Sequence, residues 1–95
     1  MTAYVVVEVE IHDPERYREY MKLAPPAIEA YGGKYLARGG ETNLFEGDAE
    51  PKRIVILEFE SMERARTFID SDEYREARAL RNATATSRIY CVEGL

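Results

Sequence analysis

One cysteine, one histidine and no tryptophan occur among the 95 residues. Cys91 alone cannot form an internal disulfide, which fits a reducing, cytoplasmic setting. Cys91 and His12 together do not make the donor set of a tetrahedral zinc site, so no metal is expected. Long apolar runs are missing as well. The opening segment MTAYVVVEVEIH has no basic start, and Glu8 and Glu10 interrupt it, so it is expected to be neither a signal peptide nor a membrane span. Basic charge is in the minority, with 13 Lys and Arg against 18 Asp and Glu and a net charge of −5. Nucleic-acid binding draws on a basic face that displaces counterions from phosphates. No nucleic-acid partner and no membrane partner are therefore expected.

What remains has the balance of a globular chain, with 45% hydrophobic and 33% charged residues, and the length allows one core, so residues 1–95 are expected to form a single domain. Residues 3–11 alternate, with Val5, Val7, Val9 and Ile11 on one face and Tyr4, Val6, Glu8 and Glu10 on the other. Asp13 and Pro14 predict a helix start. Tyr17, Tyr20, Met21, Ala24, Ile28 and Tyr31 then recur at helical spacing. Pro25 and Pro26 are expected to break or kink this helix near Leu23, and Gly32-Gly33 to end it. KYLAR, residues 34–38, predicts a short strand. Residues 43–46 are expected to add a short edge strand within the turn-rich connection that follows. RIVILEFE, residues 53–60, is a strand pattern. Ser61 and Ser71 are N-cap candidates for two further helices, and SRIYCVE, residues 87–93, predicts the last strand.

This order, βαββαβ, is that of the α+β ferredoxin-like split fold, a four-stranded antiparallel sheet with helices on one face. The first and third strands are expected side by side in the centre. Reading those two as parallel, Tyr4 aligns with Ile54, and Glu8 falls beside Glu58 and Glu10 beside Glu60. Such paired carboxylates repel and can make an acid/base couple; Arg88 and Lys34 offer the alternative of cross-strand neutralisation. The helix side carries Val5, Val7, Val9, Ile11, Val55, Leu57, Phe59, Ile89 and Cys91. The opposite side carries Tyr4, Val6, Ile54, Ile56, Tyr90 and Val92. A second apolar patch on so small a domain predicts a homodimer in which two sheets pack face to face.

Residues 31–40, YGGKYLARGG, have glycines but no phosphate-loop order: Gly32-Gly33 follow a helix, and Lys34 is followed by Tyr35 rather than Ser or Thr. A helix cap, a strand and a glycine turn account for them. Arg38 stands beside Gly39 and Gly40, where an anion could dock; a salt bridge to Glu46 is the alternative. Tyr74, Arg78 and Arg81 recur at i, i+4 and i+7, a stripe able to hold a carboxylate or phosphate, or to be neutralised by Asp70, Asp72 and Glu73. His12 is a loop histidine, either solvent-exposed or a general base for a small ligand. Ser61 and Ser71 lack a histidine partner and read as caps.

Taken together, APP at 24–26, YGGKYLARGG at 31–40, EGD at 46–48, KRIVILEF at 52–59, SME at 61–63, SDEY at 71–74, ARALR at 77–81 and VEG at 92–94 resemble the bacterial domain-of-unknown-function family 1330. That family lies within the dimeric α/β-barrel superfamily. The chain departs from the family's usual pattern at Lys34, where Arg is usual, and at Glu60, where Pro is usual. The resemblance implies a homodimer whose sheets form a barrel. It marks Arg38, Gly39, Gly40, Ser61, Tyr74 and Arg81 as candidates for a pocket between sheet and helices, without giving any of them a role. The wider superfamily includes cofactor-free monooxygenases acting on aromatic substrates, lactone isomerases and haem-dependent enzymes. Haem there is held by a histidine on a helix, which His12 is not, so no cofactor is expected. The expectation for function is a small-molecule pocket for an anionic or aromatic metabolite, with monooxygenase- or isomerase-like chemistry. The alternative is a non-catalytic binding or stress-related accessory module.

Overall fold

The computed structural model describes residues 1–95. Its elements are β1 (Ala3–Ile11), α1 (Pro14–Ala30), β2 (Lys34–Arg38), β3 (Arg53–Phe59), α2 (Met62–Ile69), α3 (Asp72–Thr84) and β4 (Ala85–Glu93). The four strands form one sheet in the order β2-β3-β1-β4, and every neighbouring pair is antiparallel. β1 and β3 do lie side by side in the centre, but they are antiparallel, not parallel. Each βα crossover skips one strand and returns in the same direction, so the strand lying between must run the other way.

That reversal changes the register of the carboxylates. Tyr4 faces Glu58 and Glu8 faces Ile54, so the two pairs of glutamates do not form. Glu8 instead meets Arg88 at 3.5 Å and accepts a 2.6 Å hydrogen bond from the Tyr90 hydroxyl. Glu58 stands opposite Lys34. Cross-strand neutralisation, not carboxylate pairing, is the outcome.

The helix starts follow their caps. The Asp13, Ser61 and Ser71 side chains accept from the backbone N–H of Arg16, Arg64 and Tyr74 respectively, each satisfying one of the amides left over in a first turn. α1 ends in a Schellman arrangement: Gly32 N–H reaches Glu29 C=O and Gly33 N–H reaches Ile28 C=O, both at 2.9 Å. Gly32 takes φ +75° to do so, a conformation costly for residues with a Cβ. α1 is not interrupted at Leu23; it runs on through Pro25 and Pro26. Ala24, Ala27 and Ile28 on either side of the prolines are all buried, and this packing holds the helix where the missing N–H groups would release it. Residues 43–46 form no strand; the whole connection between β2 and β3 is irregular, with Phe45 92% exposed.

The core lies between the helices and one sheet face. Val5, Val7, Val9, Leu57 and Phe59 point into it and meet Tyr17, Ala24, Ile28, Phe68, Tyr74 and Ala77. The opposite face has no covering element. Tyr4, Val6, Ile54 and Ile56 are half-buried there, while Leu36, Tyr90 and Val92 remain 51%, 42% and 55% exposed. No helix is long and apolar enough to cross a membrane.

Candidate functional site

A cavity of ≈ 240 Å³ opens between the sheet and the helices, and 13 of its 15 lining residues are hydrophobic. The two exceptions are Arg38 and Arg53. Arg38 is brought there by a register shift in β2. Tyr35 pairs with Leu57 and Arg38 with Val55, with the irregularity between Tyr35 and Ala37. In an unbroken strand, residues three apart point to opposite faces. The bulge adds one residue and puts Tyr35 and Arg38 on the same, helix-facing side. The Arg38 guanidinium lies 4.5 Å from the Tyr35 ring centroid, a cation–π distance. It does not pair with Glu46.

Arg53 enters from β3 in phase with Val55, Leu57 and Phe59. Its guanidinium carbon is 5.9 Å from the Tyr17 ring centroid, and Nη2 is 3.8 Å from Met21 Sδ. Its Nε is buried with no partner in the chain. Gly39, at φ +67°, makes room for it, because a Cβ at that position would overlap Arg53 Nη1. The second glycine, Gly40, faces open space.

The far wall is a chain of hydroxyls. Tyr20 and Tyr74 hydroxyls are 2.7 Å apart, and Arg81 Nη1 donates to the Tyr74 oxygen at 2.8 Å. Arginine only donates, so Tyr74 accepts from it. The two phenols hold two protons and share one hydrogen bond. Whichever way that bond points, one hydroxyl proton has no acceptor in the chain and remains for a ligand. Burial, then the neighbouring Tyr74, pushes the Tyr20 phenol far above its ordinary 10.0. Burial likewise raises Tyr17 and Tyr35, against the opposing pull of Arg53 and Arg38 respectively. These phenols are neutral donors near pH 7, not bases. Neither a carboxylate nor a histidine lines the cavity, and no three His, Cys, Asp or Glu side chains converge as metal ligands anywhere in the chain.

Of the residues singled out in the sequence, Arg38 and Tyr74 line this cavity, Arg81 acts on it through Tyr74, and Gly39 shapes it through Arg53. Three lie elsewhere. His12 Nε2 is 2.7 Å from Thr86 Oγ1 and 3.9 Å from Glu10, in an exposed cluster. Ser61 caps α2, and Gly40 makes no contribution to the lining. Arg78 donates to the Ile69 carbonyl at 2.9 Å and to Asp70 at 3.0 Å, so this part of the α3 stripe is neutralised locally. Arg53, Tyr17, Tyr20 and Tyr35 were not among the candidates. For Arg53 a signal existed, since it is a charge in phase with the buried face of its strand. The tyrosines share their spacing with ordinary core residues and carried none.

The model of a family described as a domain of unknown function, DUF1330, matches residues 2–95. No curated protein matches the chain. Among solved structures, a protein of unknown function from Rhodopseudomonas palustris superposes with a TM-score of 0.80 at 23% identity, over 99% of this chain and 82% of that one. A dimeric ferredoxin-like protein of unknown function from Jannaschia sp. gives 0.73 at 14%, over 99% and 100%. SnoaB, a cofactor-independent oxygenase from Streptomyces nogalater, gives 0.71 at 14%, over 99% and 93%. At these identities the likeness is one of fold.

Proposed function

The chain belongs to the DUF1330 family, and from that premise we propose that its cavity binds a small aromatic acid or phenol as the anion, in a homodimer joined through the open sheet face. The observation that carries the binding reading is the pairing of two guanidinium groups, Arg38 and Arg53, with neutral tyrosine donors inside an otherwise apolar cavity. An apolar wall takes an aromatic ring. Opposite charges within ~4–6 Å favour the ionised form of an acid and lower its pKa by ~1–3 units. The spare hydroxyl proton of the Tyr20–Tyr74 pair orients the developing oxyanion.

Stabilising an electron-rich aromatic anion is what oxygenation without a cofactor requires of a protein, since such an anion can itself give electrons to dioxygen. The SnoaB likeness supports this chemistry as the class to test. The lining offers no general base, which supports a site that selects and holds a pre-ionised substrate. The same feature supports the second reading, a binding module that retains the anion without turning it over. The homodimer reading rests on the uncovered apolar face and on the dimeric Jannaschia relative.

Difference absorbance with 4-nitrophenol, whose phenolate is coloured, tests the binding reading. Bound probe is expected to ionise at lower pH than free probe, and the shift is expected to shrink in Arg38→Ala and Arg53→Ala. Preferential binding of the neutral phenol, or unchanged shifts in both variants, would refute it. Oxygen uptake with dihydroxynaphthalenes then separates turnover from simple retention.

A further inference from the structure

A second cavity, of ≈ 300 Å³, lies between α2, α3 and β4. Val5, Phe68, Ile69 and Ile89 line both cavities, whereas Arg66, Arg78, Arg81 and Ser87 line only the second. Arg66, Arg78 and Arg81 line it, beside Ser87 and an apolar wall that includes Val5, Phe68 and Ile89. Arg81 is only 5% exposed, and Arg78 is engaged by Asp70 and a carbonyl. Two polar atoms here are buried without any partner, Arg81 Nε and Ser87 Oγ. Buried polar groups are nearly always satisfied, and an orphan pair at one cavity calls for an acceptor from outside the chain.

The chemistry of that acceptor is constrained. Arg81 Nη1 is committed to Tyr74 at 2.8 Å, and Nη2 gives one proton to Asn82 at 3.3 Å. Nε–H, one Nη1 proton and one Nη2 proton remain; Nε–H with an Nη2 proton is the side-on fork that matches the two oxygens of a carboxylate. Ser87 can donate to the same group. Arg66 at the exposed rim adds attraction without committing a hydrogen bond. The apolar wall has no use for a second charge.

We propose that this groove is a separate binding site for a small carboxylic acid with an apolar body, its carboxylate held by Arg81 Nε and Ser87 Oγ. The proposal does not rest on the reading of the first cavity. It is tested on the intact protein by following the arginine Nε–H resonances during titration with benzoate. Saturable movement of the Arg81 signal is expected, with binding about three- to tenfold weaker in Ser87→Ala and in Arg66→Gln and unchanged in Arg38→Ala. Neither replaced side chain packs in the core, so both variants are expected to fold. Absence of saturable movement at millimolar benzoate overturns the proposal, as does equal affinity in both groove variants. Movement of the Arg81 signal that is lost in Arg38→Ala and unaffected by Ser87→Ala would be relayed from the first cavity through Tyr74 and overturn it too. Inorganic phosphate binding at the same signal as tightly as benzoate would overturn the carboxylate assignment in favour of a tetrahedral oxyanion.

Discussion

The two faces of this sheet are built from the same strands and the same alternation, yet they have reached different ends. On the covered face, valines and a phenylalanine meet three helices, and where the packing leaves a gap, arginines and tyrosines occupy its rim. On the open face the side chains are just as branched, but nothing covers them; Arg88 neutralises Glu8 there and Tyr90 donates a hydrogen bond to it. An apolar surface alone therefore does not make a site. The covered face acquires a polar-rimmed cavity because helices supply hydroxyls opposite it and β2 and β3 supply Arg38 and Arg53, whereas the open face has no element above it to close one.

The largest test of that contrast is a truncation in the covered face. Phe59 is 1% exposed and packs against Phe68 at a ring separation of 5.2 Å. Phe59→Ala is expected to cost about 3–5 kcal/mol, read as a lowered midpoint in urea unfolding. Next comes Gly39→Ala. It forces a Cβ into φ +67° and against Arg53, and is expected to cost about 1–3 kcal/mol and to weaken anion binding along with stability.

Tyr20→Phe is smaller near neutrality but has a pH signature. The folded state holds the Tyr20 proton more tightly than the unfolded chain does. The resulting stability is complete below the ordinary phenol value of 10.0 and is lost as pH rises beyond it. Alkaline unfolding should therefore be less steep in the variant; equal slopes would contradict the buried hydroxyl pair. The smallest effect on the protomer is expected from Val92→Lys on the open face, within about 0.5 kcal/mol as for other exposed positions. There the readout is mass. Two copies should separate into one with the helical circular dichroism intact, and an unaltered assembly would remove the open face from the interface.

Much of the local structure could be read directly from the sequence. The β1 and β2 ranges, the Asp13, Ser61 and Ser71 caps and the glycine stop of α1 all depend on signals within a few residues: a period of two, a side-chain acceptor, a missing Cβ. The features that escaped depend on distant partners. Strand direction between β1 and β3 is set by the crossovers, and with it the fate of Glu8 and Glu58. The passage of α1 through Pro25 and Pro26 is set by burial of Ala24, Ala27 and Ile28. Arg38 and Tyr74 were identifiable as polar residues in suggestive places. Their meeting with Arg53 and Tyr20 requires a bulge and a helix contact that no local pattern encodes.

The bulge in β2 also says how the lining of this cavity could change. Leu36 is the extra residue that the bulge absorbs, and so Tyr35 and Arg38 share a face. Were the bulge straightened and Leu36 paired as an ordinary strand residue, Arg38 would pass to the uncovered side with no change in the identity of any residue. Whether this arginine faces the cavity depends on strand register as much as on composition. Two relatives bearing the same arginine in aligned columns can differ in whether that arginine faces the ligand at all.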